Sequence, residues 1–232
     1  MSMPYYVAPE QVMKDRADYA RKGIARGRAL VALSYDNGIL LCAENPSRTL
    51  HKVAEIYDRI AFAGVGKFSE FDSLRTAGIR HADLKGYSYS REDVDSRSLA
   101  NAFAQLLGNV FTHEMKPMEV EILVAEVGWN LADDQIFRIS YDGTVVDEEH
   151  RTVLGGDADA ISERLDAAAA DDETIDLGAA LRGAVTALAG PDRTIPAGEL
   201  EVAILDRAQT HRAFHRLTQA ELEPLLTAPD EG

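Results

Sequence analysis

Ala63-Gly64-Val65-Gly66-Lys67 carries the glycines and the lysine of a loop that cradles phosphate. Such a loop needs an earlier glycine, where Ala61 stands, and Ser or Thr after the lysine, where Phe68 stands. The stretch therefore reads as a glycine turn from a strand into a helix. His211 and His215 are four apart, which on a helix would put both on one face for a metal. Thr210–Phe214 reads as strand, however, and no carboxylate or cysteine joins them at ligand spacing. No metal and no cofactor is expected. His51, His81, His113 and His150 are scattered. Asp133-Asp134 and Glu148-Glu149 are adjacent pairs in turns and read as solvated. Lys52, in Leu50-His51-Lys52-Val53, admits two readings: a solvated strand-end lysine, or a fixed cation that receives a carboxylate on its compact three-donor ammonium. Ser34 and Cys42 are nucleophile types, but neither follows a glycine cleavage point at a strand start.

These residues belong to a chain of 232 residues with 46% hydrophobic content and no apolar run near eighteen, which reads as a soluble globular protein. The first residues, MSMPYYVAPEQ, show no basic stretch followed by an apolar one, so a cytoplasmic location is expected. The single cysteine, Cys42, lies in an apolar strand and reads as a buried thiol. A net charge of −15 argues against nucleic acid or an anionic membrane as a partner. Acid concentrates between Asp142 and Asp176 and in the tail Asp230-Glu231-Gly232, to which no role is assigned. Base concentrates at Lys14, Arg16, Arg21, Lys22, Arg26 and Arg28, which reads as a solvated face or a contact for a neighbouring subunit.

Residues 1–8 have no periodicity and read as an arm; residues 9–232 read as one domain. Pro9 can open a helix, because its missing N–H is unsatisfied there anyway. The helix covers Glu10–Arg26, and Gly27 ends it. Ala29–Tyr35 and Ile39–Ala43 flank Asp36-Asn37-Gly38, where Asn-Gly offers the positive φ angles of a tight hairpin. Lys52–Ile56 and Ile60–Val65 form a second strand pair. Helices follow over Phe68–Asp83 and Arg91–Phe111, with Lys85-Gly86-Tyr87-Ser88 as the break. Strands come next at Glu119–Val127, Gln135–Ser140, Thr144–Val146 and Val153-Leu154. A helix pair over Ala158–Ala169 and Thr174–Ala189 precedes a strand at Leu200–Leu205, with Thr210–Phe214 as its hairpin partner. Thr218 and Glu221 have capping-box spacing, and a last helix covers Gln219–Leu226. Helices arrive in pairs between groups of strands, which implies antiparallel sheets stacked face to face with helix pairs outside.

A hairpin like the first one opens the N-terminal-nucleophile hydrolases, whose first strand begins with the nucleophile. Here a whole helix precedes it. Over nearly its full length the chain resembles proteasome α subunits, most closely the actinobacterial branch. The resemblance rests on Asp18-Tyr19-Ala20 with Gly27, Asn37-Gly38-Ile39-Leu40-Leu41, His51-Lys52-Val53 through Ile56-Tyr57-Asp58, and Ala63-Gly64-Val65-Gly66. Arg75, Tyr89, the Glu119–Val127 strand, Gly143 and Gly155-Gly156 complete it. The order and spacing of these stretches carry the resemblance; none is specific alone.

The resemblance implies an α+β fold, a four-layer α-β-β-α sandwich of the N-terminal-nucleophile type with an extra N-terminal helix. The catalytic β subunits of that family carry a threonine, an acid and a lysine; matched here, those slots hold Arg28, about Glu44, and Lys52. Threonine catalysis needs a hydroxyl nucleophile and a free amine as base. Arg28 supplies neither, so no catalytic residue is expected. The resemblance further implies a heptameric outer ring of α subunits on rings of proteolytic β subunits. The arm residues Met3, Pro4, Tyr5, Tyr6, Val7, Ala8 and Pro9 would gate the passage of protein substrates. A ring ATPase would dock its C-terminal tails with the carboxylate on Lys52, Gly66 and Lys67 lining the pocket, and Gly27 and Asp18 supplied by the adjoining helix. The ATPase implied is the proteasome-associated one that delivers substrates tagged with a small ubiquitin-like protein. The Tyr-Asp-Arg opening of archaeal and eukaryotic members is absent, and Pro9 stands ten residues before Tyr19 where that pattern has nine. Two further readings stay open: a self-processing N-terminal-nucleophile hydrolase, and a nucleotide-binding module on Gly64-Val65-Gly66-Lys67.

Overall fold

The computed structural model of the chain describes residues 8–168 and 175–227. Its strands form two five-stranded antiparallel sheets. The first holds β1 (Leu30–Tyr35), β2 (Gly38–Glu44), β8 (Arg151–Leu154), β9 (Leu200–Asp206) and β10 (Phe214–Arg216), in the order β10-β9-β2-β1-β8. The second holds β3 (Val53–Tyr57), β4 (Ile60–Gly66), β5 (Val120–Glu126), β6 (Gln135–Ile139) and β7 (Val145–Glu148), in chain order.

The period of two along each strand sorts the side chains into layers. Leu30, Ala32, Ile39, Leu41 and Ala43 of the first sheet meet Ala61, Ala63, Leu123 and Ala125 of the second. Val31, Leu33, Leu40 and Cys42 point the other way, under α4 (Ala158–Ala168) and α5 (Leu177–Ala189). Ile60, Phe62, Ile122 and Val124 are covered by α2 (Phe68–Ser88) and α3 (Ser96–His113). Burial on both faces explains why these strands read as apolar runs rather than alternating ones. The result is the four-layer α-β-β-α sandwich. The extra helix α1 (Pro9–Ala25) inserts Ala20 and Ile24 into the core between the sheets. Burying the Ile24 side chain contributes about 2 kcal/mol to holding α1 there. The short helix α6 (Gln219–Thr227) closes the α5 side through Leu222.

Four local expectations need correction. The first hairpin forms where expected, but its turn residues are Asp36 and Asn37, and neither has positive φ. Gly38 alone carries one, +153°, where a methyl group would stand 1.9 Å from the Leu205 oxygen. Helix α2 runs through Lys85-Gly86-Tyr87 to Ser88. Gly86 is a packing glycine rather than a breaker: a methyl there would meet the Tyr57 hydroxyl at 2.0 Å. The break falls at a 3-10 turn over Arg91–Asp93, and Asp95 caps α3 by accepting the Ser98 N–H at 2.7 Å. The partner strand of β9 begins at Phe214, the residue at which the sequence pattern ends it, because Thr210 to Ala213 form the approach to it. Helix α5 starts at Leu177, capped by the Asp176 carboxylate, which accepts the Ala179 N–H at 2.8 Å. Thr174 lies outside the described residues, as do the tail residues Asp230, Glu231 and Gly232. Among the described residues, no helix is long and apolar enough to cross a membrane.

Candidate functional site

Antiparallel pairing of β1 with β2 sets Leu30 opposite Ala43, so Arg28 and Glu44 emerge at the same end of the sandwich. The Arg28 guanidinium bonds the Glu44 carboxylate, which is only 7% exposed. Arg193 reaches the same carboxylate from the far end of α5, its two terminal nitrogens at 3.2 and 3.3 Å. The Lys52 ammonium donates to the main-chain oxygens of Arg28 at 2.7 Å and Glu44 at 3.1 Å. The three slots matched by resemblance to nucleophile, acid and lysine thus converge, and the lysine touches carbonyls rather than a hydroxyl.

Lys52 is held by its main chain on both sides. Its N–H donates to the Glu201 carboxylate at 2.8 Å, and its carbonyl accepts the Gly64 N–H at 2.9 Å. Glu201 is buried and also accepts from the Val53 N–H at 3.2 Å, the Asn45 amide at 2.7 Å and the Arg216 guanidinium. Burial lowers the Lys52 amine to about 8; Glu201 and Glu44 oppose that shift, and Arg28 adds to it.

Gly66 and Gly27 lie against each other: a methyl at Gly27 would stand 3.5 Å from the Gly66 nitrogen. Gly66 has φ +97°, and a methyl there would lie 2.0 Å from the Glu119 oxygen. Lys67 leads into α2; its N–H bonds the Glu119 oxygen at 2.9 Å and its ammonium the Glu70 carboxylate at 3.2 Å. The Gly64 and Lys67 amides are therefore spent inside the fold, and Gly64 to Gly66 lie in a paired strand. That arrangement leaves no loop of free amides to cradle phosphate.

Asp18 stands nine residues before Gly27 on α1, a rise of roughly 13 Å. It pairs with Arg21 at 3.6 Å. Among the described residues, no hydrogen bond or ion pair joins it to Lys52. Ala8 precedes α1 in extended backbone and Pro9 is its first residue. Met3, Pro4, Tyr5, Tyr6 and Val7 lie outside the described residues.

The other nucleophile and ligand types are occupied or inert. Burial pushes the Cys42 thiol up to about 12. The Ser34 hydroxyl oxygen is buried with no hydrogen-bond partner among the described residues, so no base stands ready to activate it. His211 and His215 separate, the first 3.3 Å from Asp58 and the second 3.0 Å from Glu221.

Sequence reasoning missed Arg193 and Glu201. Glu201 had a signal, since a carboxylate inside the apolar run Leu200–Leu205 must find buried partners. Arg193, in Pro191-Asp192-Arg193, had none.

Comparison with known proteins gives a concordant result. The family model described as "Proteasome subunit" matches residues 24–205. The chain is 61% identical to "Proteasome subunit alpha" of Acidimicrobium ferrooxidans, covering 100% of this chain and 99% of that one. It is 58% identical to the protein of that name from Xylanimonas cellulosilytica, covering 99% and 98%. The corresponding Sanguibacter keddieii protein is 57% identical, covering 99% and 91%.

Proposed function

The chain belongs to the proteasome subunit family as an α-type member, and we propose that it forms the non-catalytic outer ring of the core particle, gating entry and docking a ring ATPase. Its partners in this reading are further copies of itself, the proteolytic β subunit, the ATPase, and protein substrates in transit to degradation. One observation carries the reading. Arg28 fills the nucleophile slot in mid-chain, its carbonyl bonded to Lys52 and its guanidinium to Glu44. A threonine-type site needs a hydroxyl and a free amine at that point, and this arrangement provides a cation and a peptide bond.

The docking part of the reading is supported by the convergence of Lys52, Gly66 and Gly27, and by Lys67 beside them. Asp18 lies on the adjoining helix α1, nine residues before Gly27, and in this reading comes to the pocket from that helix. Assembly is supported by the C-terminal end of α2, where Leu84, Tyr87 and Tyr89 stand exposed and suit burial against another subunit.

Co-expression with a proteasome β subunit, followed by negative-stain imaging and peptide-hydrolysis assays, tests the whole. Stacked rings are expected, with hydrolysis abolished by a β-specific inhibitor. Peptide cleavage by the β-free chain, or an N-terminus trimmed to an internal residue, would return the self-processing hydrolase.

A further inference from the structure

The chain has six lysines. Lys67, Lys85 and Lys116 hold carboxylates. Lys14 and Lys22 stand exposed on α1. Lys52 is half-buried, and its amine rests against two main-chain oxygens, those of Arg28 and Glu44. Among the described residues no carboxylate comes within ion-pair distance of that amine. Two guanidiniums, Arg28 and Arg193, bond the carboxylate of Glu44, the residue whose carbonyl that amine contacts, with side chains 46% and 55% exposed. Glu44, Glu199, Glu201 and His51 complete the charged surroundings.

We propose that Lys52 is an acylation site of this chain, taking the acyl group of a small acyl phosphate.

Carbonyl dipoles and burial hold an ammonium less firmly than a carboxylate partner does. Burial brings the Lys52 amine to about 8 from the ordinary 10.5. At pH 7.5 roughly a quarter of it is then unprotonated, against about one part in a thousand for an ordinary lysine. The lone pair attacks the acyl carbon, and a C–N bond forms. The bond from that carbon to the phosphate oxygen breaks, the phosphate leaves with the electron pair, and the spare amine proton passes to water. The half-exposed guanidiniums favour an anionic donor by charge. The product is an amide with one N–H and no charge. Its consequence rests on the docking reading: an acylated Lys52 offers no cation to a tail carboxylate.

The labelling test uses the full chain assembled with its β subunit; ATPase is added only in a last, separate docking measurement. Brief exposure to acetyl phosphate across pH 6.5–10 is followed by mass spectrometry of each lysine. Lys52 is expected to label at least tenfold faster than Lys14 or Lys22 at pH 7.5, with its rate levelling above about pH 8 while theirs keep rising. The Arg28→Gln variant is expected to lose rate with acetyl phosphate more than with the neutral donor N-acetylimidazole. Lys52 labelling more slowly than Lys14 throughout, or rising without a plateau, overturns the proposal. If Lys52 labels as expected and the acetylated particle still docks the ATPase undiminished, the acylation stands and the docking reading falls.

Discussion

The Lys52 ammonium lies 2.7 Å from the main-chain oxygen of Arg28. A catalytic relative would need a nucleophile and a free amine at that position. The Arg28 nitrogen is tied into a peptide bond with Gly27 and offers no free amine, so restoring the hydroxyl alone restores nothing. The Arg28→Thr variant, freed of β subunit, is expected to show no peptidase activity on a fluorogenic peptide and to keep the peptide bond after Gly27 intact by mass spectrometry. Self-cleavage after Gly27 with new hydrolysis would contradict this.

Lys52→Ala is expected to assemble with the β subunit normally and to bind the ATPase more weakly. Losing a charge-assisted bond to a carboxylate costs on the order of 1.5–3 kcal/mol, or roughly ten- to a hundredfold in affinity. A titration of ATPase onto preassembled particles reads the difference, and equal affinities would remove Lys52 from the docking site.

Gly66→Ala is expected to destabilise the chain. The substitution must adopt φ +97° with its methyl 2.0 Å from the Glu119 oxygen, a backbone atom that cannot swing aside. Strain and overpacking together cost about 3 kcal/mol, which lowers Tm by roughly 6–12 °C for a domain of this size. Thermal unfolding followed by circular dichroism measures it; an unchanged Tm would mean that β4 does not end as described.

Helix α6 is expected to loosen in acid. The Glu221 carboxylate accepts the Thr218 N–H and hydroxyl, each at 2.7 Å, and faces His215. These contacts, the Thr218 N–H foremost, bring its pKa from 4.5 down to about 2. The depressed value means the stabilisation is present above pH 4.5 and disappears as pH falls toward 2. Amide protection over Leu222–Leu226, measured relative to the intrinsic exchange rate at each pH, should fall in that window. In Glu221→Ala, which removes the acceptor, protection should be low throughout, and a variant identical to the parent at neutral pH would refute the cap.

Deleting Ser2–Ala8 is expected to leave the α–β particle assembled and to speed its ATPase-free cleavage of long substrates. Tyr5, Tyr6 and Val7 are more apolar than a solvated arm requires, and copies converging on a ring axis could pack together. Truncated and full-length particles at equal β content are compared on a short peptide, which reports active-site competence, and a long one limited by entry. If the long substrate gains nothing over the short one, these residues are not the gate.

Features that depend on a few neighbouring residues were legible in the sequence. Pro9 opens α1 because its ring presets φ and lacks an N–H that the first turn would leave unpaired. The apolar runs of β1, β2 and β4 announce strands buried on both faces. The spacing of Thr218 and Glu221 announces the start of α6. Tertiary structure decided whatever rests on contacts between distant residues. Gly86 sits inside the last turn of α2 because the Tyr57 hydroxyl occupies the space of its missing side chain. Asn37 needs no positive φ because its side chain bonds Asp206 at 2.8 Å across the sheet and Gly38 takes the unusual conformation. Arg193 reaches Glu44, and Glu201 reaches the Lys52 amide, each across 149 residues of chain. Local turn and cap chemistry is set by steric limits within a few residues, whereas convergence of this kind exists only once β9 has paired with β2 and the sheets have stacked, so no stretch of sequence carries it alone.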